Sequence, residues 1–148
     1  MQAAPDGFTL EIVSDLSEVA RATLRLEAFG RAHALPETLI AQFALALDEL
    51  VANIVEHGLA GGARETIRIA VAIAPGRLSM EVNDPGRAFN MRDDAPPPDL
   101  EASLEERRVG GLGVYFVHTL MDHVSYRREN ECNIVTVWKS LPAPATPG

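Results

Sequence analysis

The sequence predicts an α+β domain built as a two-layer α/β sandwich, with helices on one face of a mixed, largely antiparallel sheet. Two long stretches with helical apolar spacing come early in the chain, and segments with period-two alternation follow at 65–82 and 124–138. Helices segregated from strand pairs favour this arrangement over a regular strand–helix alternation, which would build a doubly wound sheet. At 148 residues, 47% hydrophobic and 23% charged, the chain has the size and balance of one domain with a substantial core.

The formal net charge of −8 arises from 21 Asp and Glu against 13 Lys and Arg. Such an acidic balance argues against direct nucleic-acid binding and against attachment to an acidic membrane. It leaves a nucleotide open, because a few local cations or a magnesium ion neutralise phosphates whatever the global charge. Cys132 is the only cysteine, so no internal disulfide staples the fold. The apolar runs are short and interrupted, and residues 1–15 lack a basic segment followed by a hydrophobic one, so the expected location is cytoplasmic.

Phe8 to Val13 suits a first strand, and Asp15 or Ser17 offers a cap to the helix after it. Leu16, Val19, Thr23 and Leu26 return at three- and four-residue steps and give that helix a core-facing stripe. Ala34-Leu35-Pro36 breaks the pattern. In the second helix Ile40, Phe43, Leu47, Leu50 and Ile54 form the apolar stripe, while Glu49, Asn53 and Glu56 fall away from its centre; Gly58 and Gly61-Gly62 can end it. Ile67, Ile69, Val71 and Ile73, the Pro75-Gly76 turn, and Leu78, Met80 and Val82 predict an antiparallel hairpin. The run of three prolines at 96–98 predicts an exposed connection, with a short charged helix from Asp99 to Arg108 and another helix from Val114 to about Met121. Val124 to Tyr126 and Cys132 to Trp138 supply the last strands, and residues 141–148 read as a flexible tail.

Glu49 and Asn53 stand four residues apart, which on a helix separates them by about 40° and about 6 Å, so both can reach one ligand. The Asn53 carbonyl oxygen can face magnesium, and Glu49 can take a proton from an attacking hydroxyl or orient a water. Asp84-Pro85-Gly86 ends a strand, where the Asp can accept from an adenine amino group while Gly86 permits close packing on the base. Gly110-Gly111-Leu112-Gly113 leads into a helix N-terminus whose free N–H groups favour phosphate, although it has neither the Walker nor the Rossmann pattern. Arg107 and Arg108 just before it can approach phosphates when the connection closes. Each segment taken alone also fits an ordinary role: polarity on an amphipathic helix, a strand-ending turn, a glycine connection, a solvated basic pair. His57, beside Glu56 near the helix end, can contact phosphate or tune the site, or serve only as terminal polarity or packing, and His118 and His123 form no metal-ligand pattern with Cys132.

In chain order these motifs resemble the Bergerat ATP-binding superfamily of histidine kinases, type II topoisomerases and Hsp90. Asp48 to Gly58 and Gly110 to Val117 look most like the small bacterial anti-sigma-factor serine/threonine kinases. The resemblance implies a Bergerat-type fold, a single ATP-binding kinase-like domain over residues 1–140, and ATP with Mg2+ as cofactors. It further implies Glu49 as catalytic base, Asn53 as the magnesium-organising residue, and Asp84 as the adenine-recognition residue. Gly86, Gly110, Gly111 and Gly113 would line the nucleotide, and Arg107 and Arg108 its phosphates. Two departures stand out. Ala88 replaces a glycine common in relatives, and the final strand lacks their Gly-Thr pair, leaving Thr136 either as a further nucleotide contact or simply as a sheet position.

The activity so implied is transfer of the ATP γ-phosphoryl group to an anti-anti-sigma protein, coupled to sequestration of a sigma factor or another transcription regulator. Two other readings use the same residues: an ATP-responsive binding module without catalysis, and an ATPase-coupled conformational switch. A helix face is also available for a homodimer, although no coiled-coil repeat specifies one.

Overall fold

The structure, a computed structural model, describes residues 6–55, 65–86, 117 and 119–141. The described chain begins with strand β1 (Gly7–Val13), a single 3-10 turn (Leu16–Glu18), and helices α1 (Val19–Ala32) and α2 (Glu37–Asn53). Strands β2 (Thr66–Ala74), β3 (Arg77–Asp84), β4 (His123–Glu129) and β5 (Cys132–Ser140) complete it. The five strands form one sheet in the order β1-β2-β3-β5-β4, and every neighbouring pair is antiparallel.

Alternation along the strands decides the two faces of this sheet. Ile67, Ile69 and Val71 of β2 and Leu78, Met80 and Val82 of β3 are all at most 1% exposed, while most of the residues between them are exposed or half-buried. The register carries this face across the sheet, pairing Val71 with Met80, Met80 with Val137 and Val137 with Val124. The helices cover that face. Phe43, Ala46, Leu47, Leu50 and Val51 of α2 join Ala22, Leu26 and Phe29 of α1 and the inward strand residues in one core. Burial of each large side chain contributes roughly 1.5–3 kcal/mol, so the helix layer is held chiefly by this apolar seam.

The entry into α1 differs from the sequence expectation. Leu16 precedes the helix in the 3-10 turn and is 56% exposed, and the buried stripe runs through Val19, Ala22, Leu26, Phe29 and Gly30. The cause is local: the Asp15 carboxylate accepts from the Ser17 N–H at 2.9 Å, which starts the chain in a tighter turn and turns Leu16 outward. Gly30 is buried where α1 approaches Ile40, and a Cβ there would come within 2.6 Å of that side chain. Arg25 stacks over Phe8 at 4.2 Å, and Phe8 lies 5.1 Å from Phe29, tying α1 to the edge strand β1.

The hairpin turns show contrasting fits of residue to backbone. Gly76 adopts φ 78 between β2 and β3, a conformation that glycine takes without steric cost. Between β4 and β5 the two loop residues, Asn130 and Glu131, have φ 51 and φ 64. Positive φ at both positions is the type I′ pattern, which matches the right-handed twist of a hairpin. Asn tolerates it, whereas Glu131 carries a Cβ in the left-handed region. Among the described residues no helix is long and apolar enough to cross a membrane.

Replacing Glu131 with Gly should raise unfolding stability by about 0.5–1 kcal/mol, the relief of left-handed strain being partly offset by the freer unfolded chain. Urea unfolding checks this; an unchanged or lower midpoint would show that the Glu131 side chain stabilises the hairpin by more than its backbone strain costs.

Candidate functional site

The last turns of α2 carry Glu49 and Asn53 one helical turn apart, flanked by the fully buried Leu50 and Val51. Glu49 is half-buried. Burial, with the Asp48 charge beside it, holds its carboxyl above the usual carboxylate range. The Asn53 Nδ2 is the one buried side-chain nitrogen or oxygen without a hydrogen-bond partner among the described residues. An amide left so is expensive, since desolvation without a partner costs about 1–3 kcal/mol, and Asn can present either its oxygen or its nitrogen to a ligand.

The other described candidate residues, Asp84 and Gly86, lie at the end of β3 and just after it. Asp84 follows Leu78, Met80 and Val82 on the helix-covered face and is 3% exposed. Its Oδ1 accepts from the Gly86 N–H at 2.8 Å, a bond that closes the Asp84-Pro85-Gly86 turn. Across the sheet Asp84 is in register with Asn133, whose Nδ2 donates to the same Oδ1 at 3.3 Å. Burial pushes the Asp84 carboxyl up, against the opposing pull of the Gly86 N–H, the Asn133 amide and the Arg128 charge. Gly86 is itself buried.

Asn133 was not among the residues that the sequence singled out. Its significance comes from pairing: the register places it opposite Asp84, and nothing in the local spelling Cys132-Asn133-Ile134 announces that neighbour. Tyr126 and Arg128 of β4 complete the cluster. The Tyr126 hydroxyl donates to the Asn133 Oδ1 at 2.6 Å, and the Arg128 Nη1 donates to the same oxygen and to the Gly86 carbonyl, each at 2.9 Å.

Thr136 sits elsewhere. It pairs with Glu81 on one side and Ser125 on the other, in the row that alternates with the Asp84 row, so it belongs to the opposite face of the sheet. That face is polar and its charges are paired with one another, Arg68 with Glu11 at 3.2 Å and Arg127 with Glu81 at 3.4 Å. Arg107, Arg108, Gly110, Gly111 and Gly113, with His57 and His118, lie outside the described residues. Among the described residues no three His, Cys, Asp or Glu side chains gather as a metal cluster.

The structure thus presents a buried carboxylate at a strand end, a half-buried one on a helix and an unpartnered amide one turn from the latter. The sequence profile of the histidine kinase-like ATPase domain matches residues 12–139, and the chain belongs to that family. Its relatives include a serine-protein kinase RsbW of Listeria monocytogenes serovar 1/2a, 25% identical over 138 residues that cover 91% of this chain and 88% of the relative. The RsbW of Halalkalibacterium halodurans is 27% identical over 127 residues, covering 82% of this chain and 77% of its own. Among solved structures, the RsbU and RsbW domains of a Mycobacterium tuberculosis protein superpose with a TM-score of 0.67 at 18% identity. That match covers 97% of this chain and 35% of the larger one, and it establishes the shared fold.

The raised Asp84 carboxyl has a consequence for stability. A carboxyl whose folded value exceeds its unfolded one binds its proton more readily when folded, so its contribution to stability declines as pH rises through that window. Asp84→Asn, which keeps an acceptor oxygen for Gly86, should therefore be more stable than the parent near neutral pH. The advantage should shrink as pH falls through the ordinary carboxylate range. Thermal unfolding of both proteins at stepped pH checks this; a variant less stable than the parent at neutral pH would show that hydrogen bonding to the charge outweighs its desolvation.

Proposed function

We propose that the protein binds ATP and transfers its γ-phosphoryl group to a serine or threonine hydroxyl of an anti-anti-sigma-like protein, and that it sequesters a sigma factor or another transcription regulator. The observation that carries this reading is the α2 pair: a carboxyl held above its usual range one turn from a buried amide with no partner, in a chain of the histidine kinase-like ATPase family. The RsbW relatives, named serine-protein kinases, support the reaction class.

Asp84 would receive the adenine amino group, with Gly86 allowing the base to lie close to the backbone. The glycines at 110, 111 and 113 and the arginines at 107 and 108 would meet the phosphates. Asn53 fits magnesium because that ion commonly takes one or two protein oxygens and completes its shell with phosphates and water. Turning the Asn53 amide over would set its oxygen where the unpartnered nitrogen now lies. Magnesium, when bound, would neutralise charge on the phosphate oxygens.

Glu49 would act as general base. A carboxylate poised above its ordinary range is a better acceptor for a hydroxyl proton near neutral pH. As the substrate oxygen bonds to the γ-phosphorus, the bond from that phosphorus to the β,γ-bridging oxygen breaks, and ADP leaves with the electron pair. The hydroxyl proton passes to Glu49 and then to solvent. The new phosphate brings about −1.5 to −2 charge to the partner, which weakens its docking through repulsion and desolvation. The acidic balance of this chain, −8 overall, adds to that repulsion.

Incubation with γ-labelled ATP, magnesium and a purified cognate anti-anti-sigma protein should label the partner on serine or threonine. Glu49→Ala should lower the transfer rate by about 10²- to 10⁴-fold while leaving ADP binding intact. Asn53→Ala should lose the magnesium-dependent part of ATP affinity in calorimetric titration. Full labelling by Glu49→Ala would remove it as the base; tight ATP binding without labelling of a proven cognate partner would favour the non-catalytic binding module, and phosphate release without a partner the ATPase switch.

A further inference from the structure

The amide of Asn133 has only one way to sit. Its Oδ1 accepts from two donors, the Tyr126 hydroxyl at 2.6 Å and the Arg128 Nη1 at 2.9 Å. An amide nitrogen cannot accept either bond, so the oxygen must face β4 and the Nδ2 must face β3. There it meets the Asp84 Oδ1 at 3.3 Å and the Gly86 carbonyl at 3.4 Å. Arg128 closes the ring with its bond to the Gly86 carbonyl at 2.9 Å, and Asp84 closes it from the other side by accepting from the Gly86 N–H.

The hydrogen bonds from the Gly86 N–H and the Asn133 Nδ2 both end on the Asp84 Oδ1. Neither of these two bonds uses Oδ2. Two donors on one oxygen also fix the plane of the carboxylate, which a single bond would leave free to rotate. The Gly86 turn is restrained through both its N–H and its C=O, so the carboxylate and the neighbouring backbone are held as one unit.

We infer that Asn133, oriented by Tyr126 and Arg128, is the positioning residue that aims Asp84 Oδ2 at an amino group of the bound base, and so sets the preference for a 6-amino purine over a 6-oxo purine. This rests on the ATP-site reading above and adds to it three residues of β4 and β5. A 6-oxo purine presents a carbonyl oxygen where the amino group would be. That oxygen faces a fixed carboxylate oxygen and gains nothing from it. If Asp84 were free to turn, the penalty would be relieved and the two bases would bind more nearly alike.

The test is calorimetric titration of ATP and of inosine triphosphate, with magnesium, into the full chain and its variants. The wild type should prefer ATP. Asn133→Ala should weaken ATP by about 10- to 100-fold, the range expected when a hydrogen bond to a charged group is lost. Inosine triphosphate should change by less than about threefold, so the ratio collapses. In an Asp84→Ala background the same change should cost less than about twofold, because its effect passes through that carboxylate. Tyr126→Phe, which removes one donor and leaves the ring in place, should give a smaller loss of the ratio in the same direction. It supplies the readout if Asn133→Ala does not fold.

Equal weakening of both nucleotides, additive losses with Asp84→Ala, or an unchanged ratio in folded Asn133→Ala or Tyr126→Phe would each overturn the positioning role while leaving the ATP site standing. A folded wild type that binds neither nucleotide would bring down the ATP-site reading, and this inference with it.

Discussion

The antiparallel register between β3 and β5 is the constraint on which the rest depends. It aligns Leu78, Met80, Val82 and Asp84 on one face with Val137, Val135 and Asn133 opposite the last three. The apolar members of this row form the floor under α1 and α2, and its last pair is polar. A slip of one residue would turn Asp84 to the outer face and set Asn83 over the core. The same pairing that stabilises the sandwich therefore decides where a carboxylate is buried and what meets it.

That burial sets a charge against apolar packing, and the structure resolves the conflict by supplying donors. Gly86, Asn133 and Arg128 all lower the cost of the Asp84 anion, yet burial still dominates and its carboxyl stays above the usual range. Glu49 shows the same balance with fewer compensations, and Asn53 with none. Polar groups held at a cost to stability are the ones the proposed function uses, in keeping with the usual trade between stability and function. The open face of the sheet has the opposite character, with exposed charges that already satisfy one another.

Much of this was legible in the sequence. Period-two alternation located β2 and β3 to within a residue or two, and the α2 stripe separated Glu49 and Asn53 from the core-facing positions because helical geometry follows from spacing alone. At the entry to α1 the Asp15 cap was legible but the place of Leu16 was not, since the tighter first turn outranks the apolar periodicity that would draw it inward. The Asp84 neighbourhood was only half legible. Asp84 and Gly86 are two positions apart in the chain, whereas Asn133 and Arg128 reach them through strand pairing across more than 40 residues, which no local pattern encodes, and Tyr126 joins through Asn133. Thr136 illustrates the same limit: a strand assignment without a register cannot say which face a residue takes.

The strand order has a kinetic side as well. The β2–β3 and β4–β5 hairpins close short loops and can form early. Joining β3 to β5 brings together residues such as Asp84 and Asn133, which are 49 positions apart. The entropy of closing such a loop must be met before the contact contributes anything, so long-range strand pairing slows folding. The ring of bonds around Asp84 thus belongs to the late stages of folding, after the local hairpins on either side of it have closed.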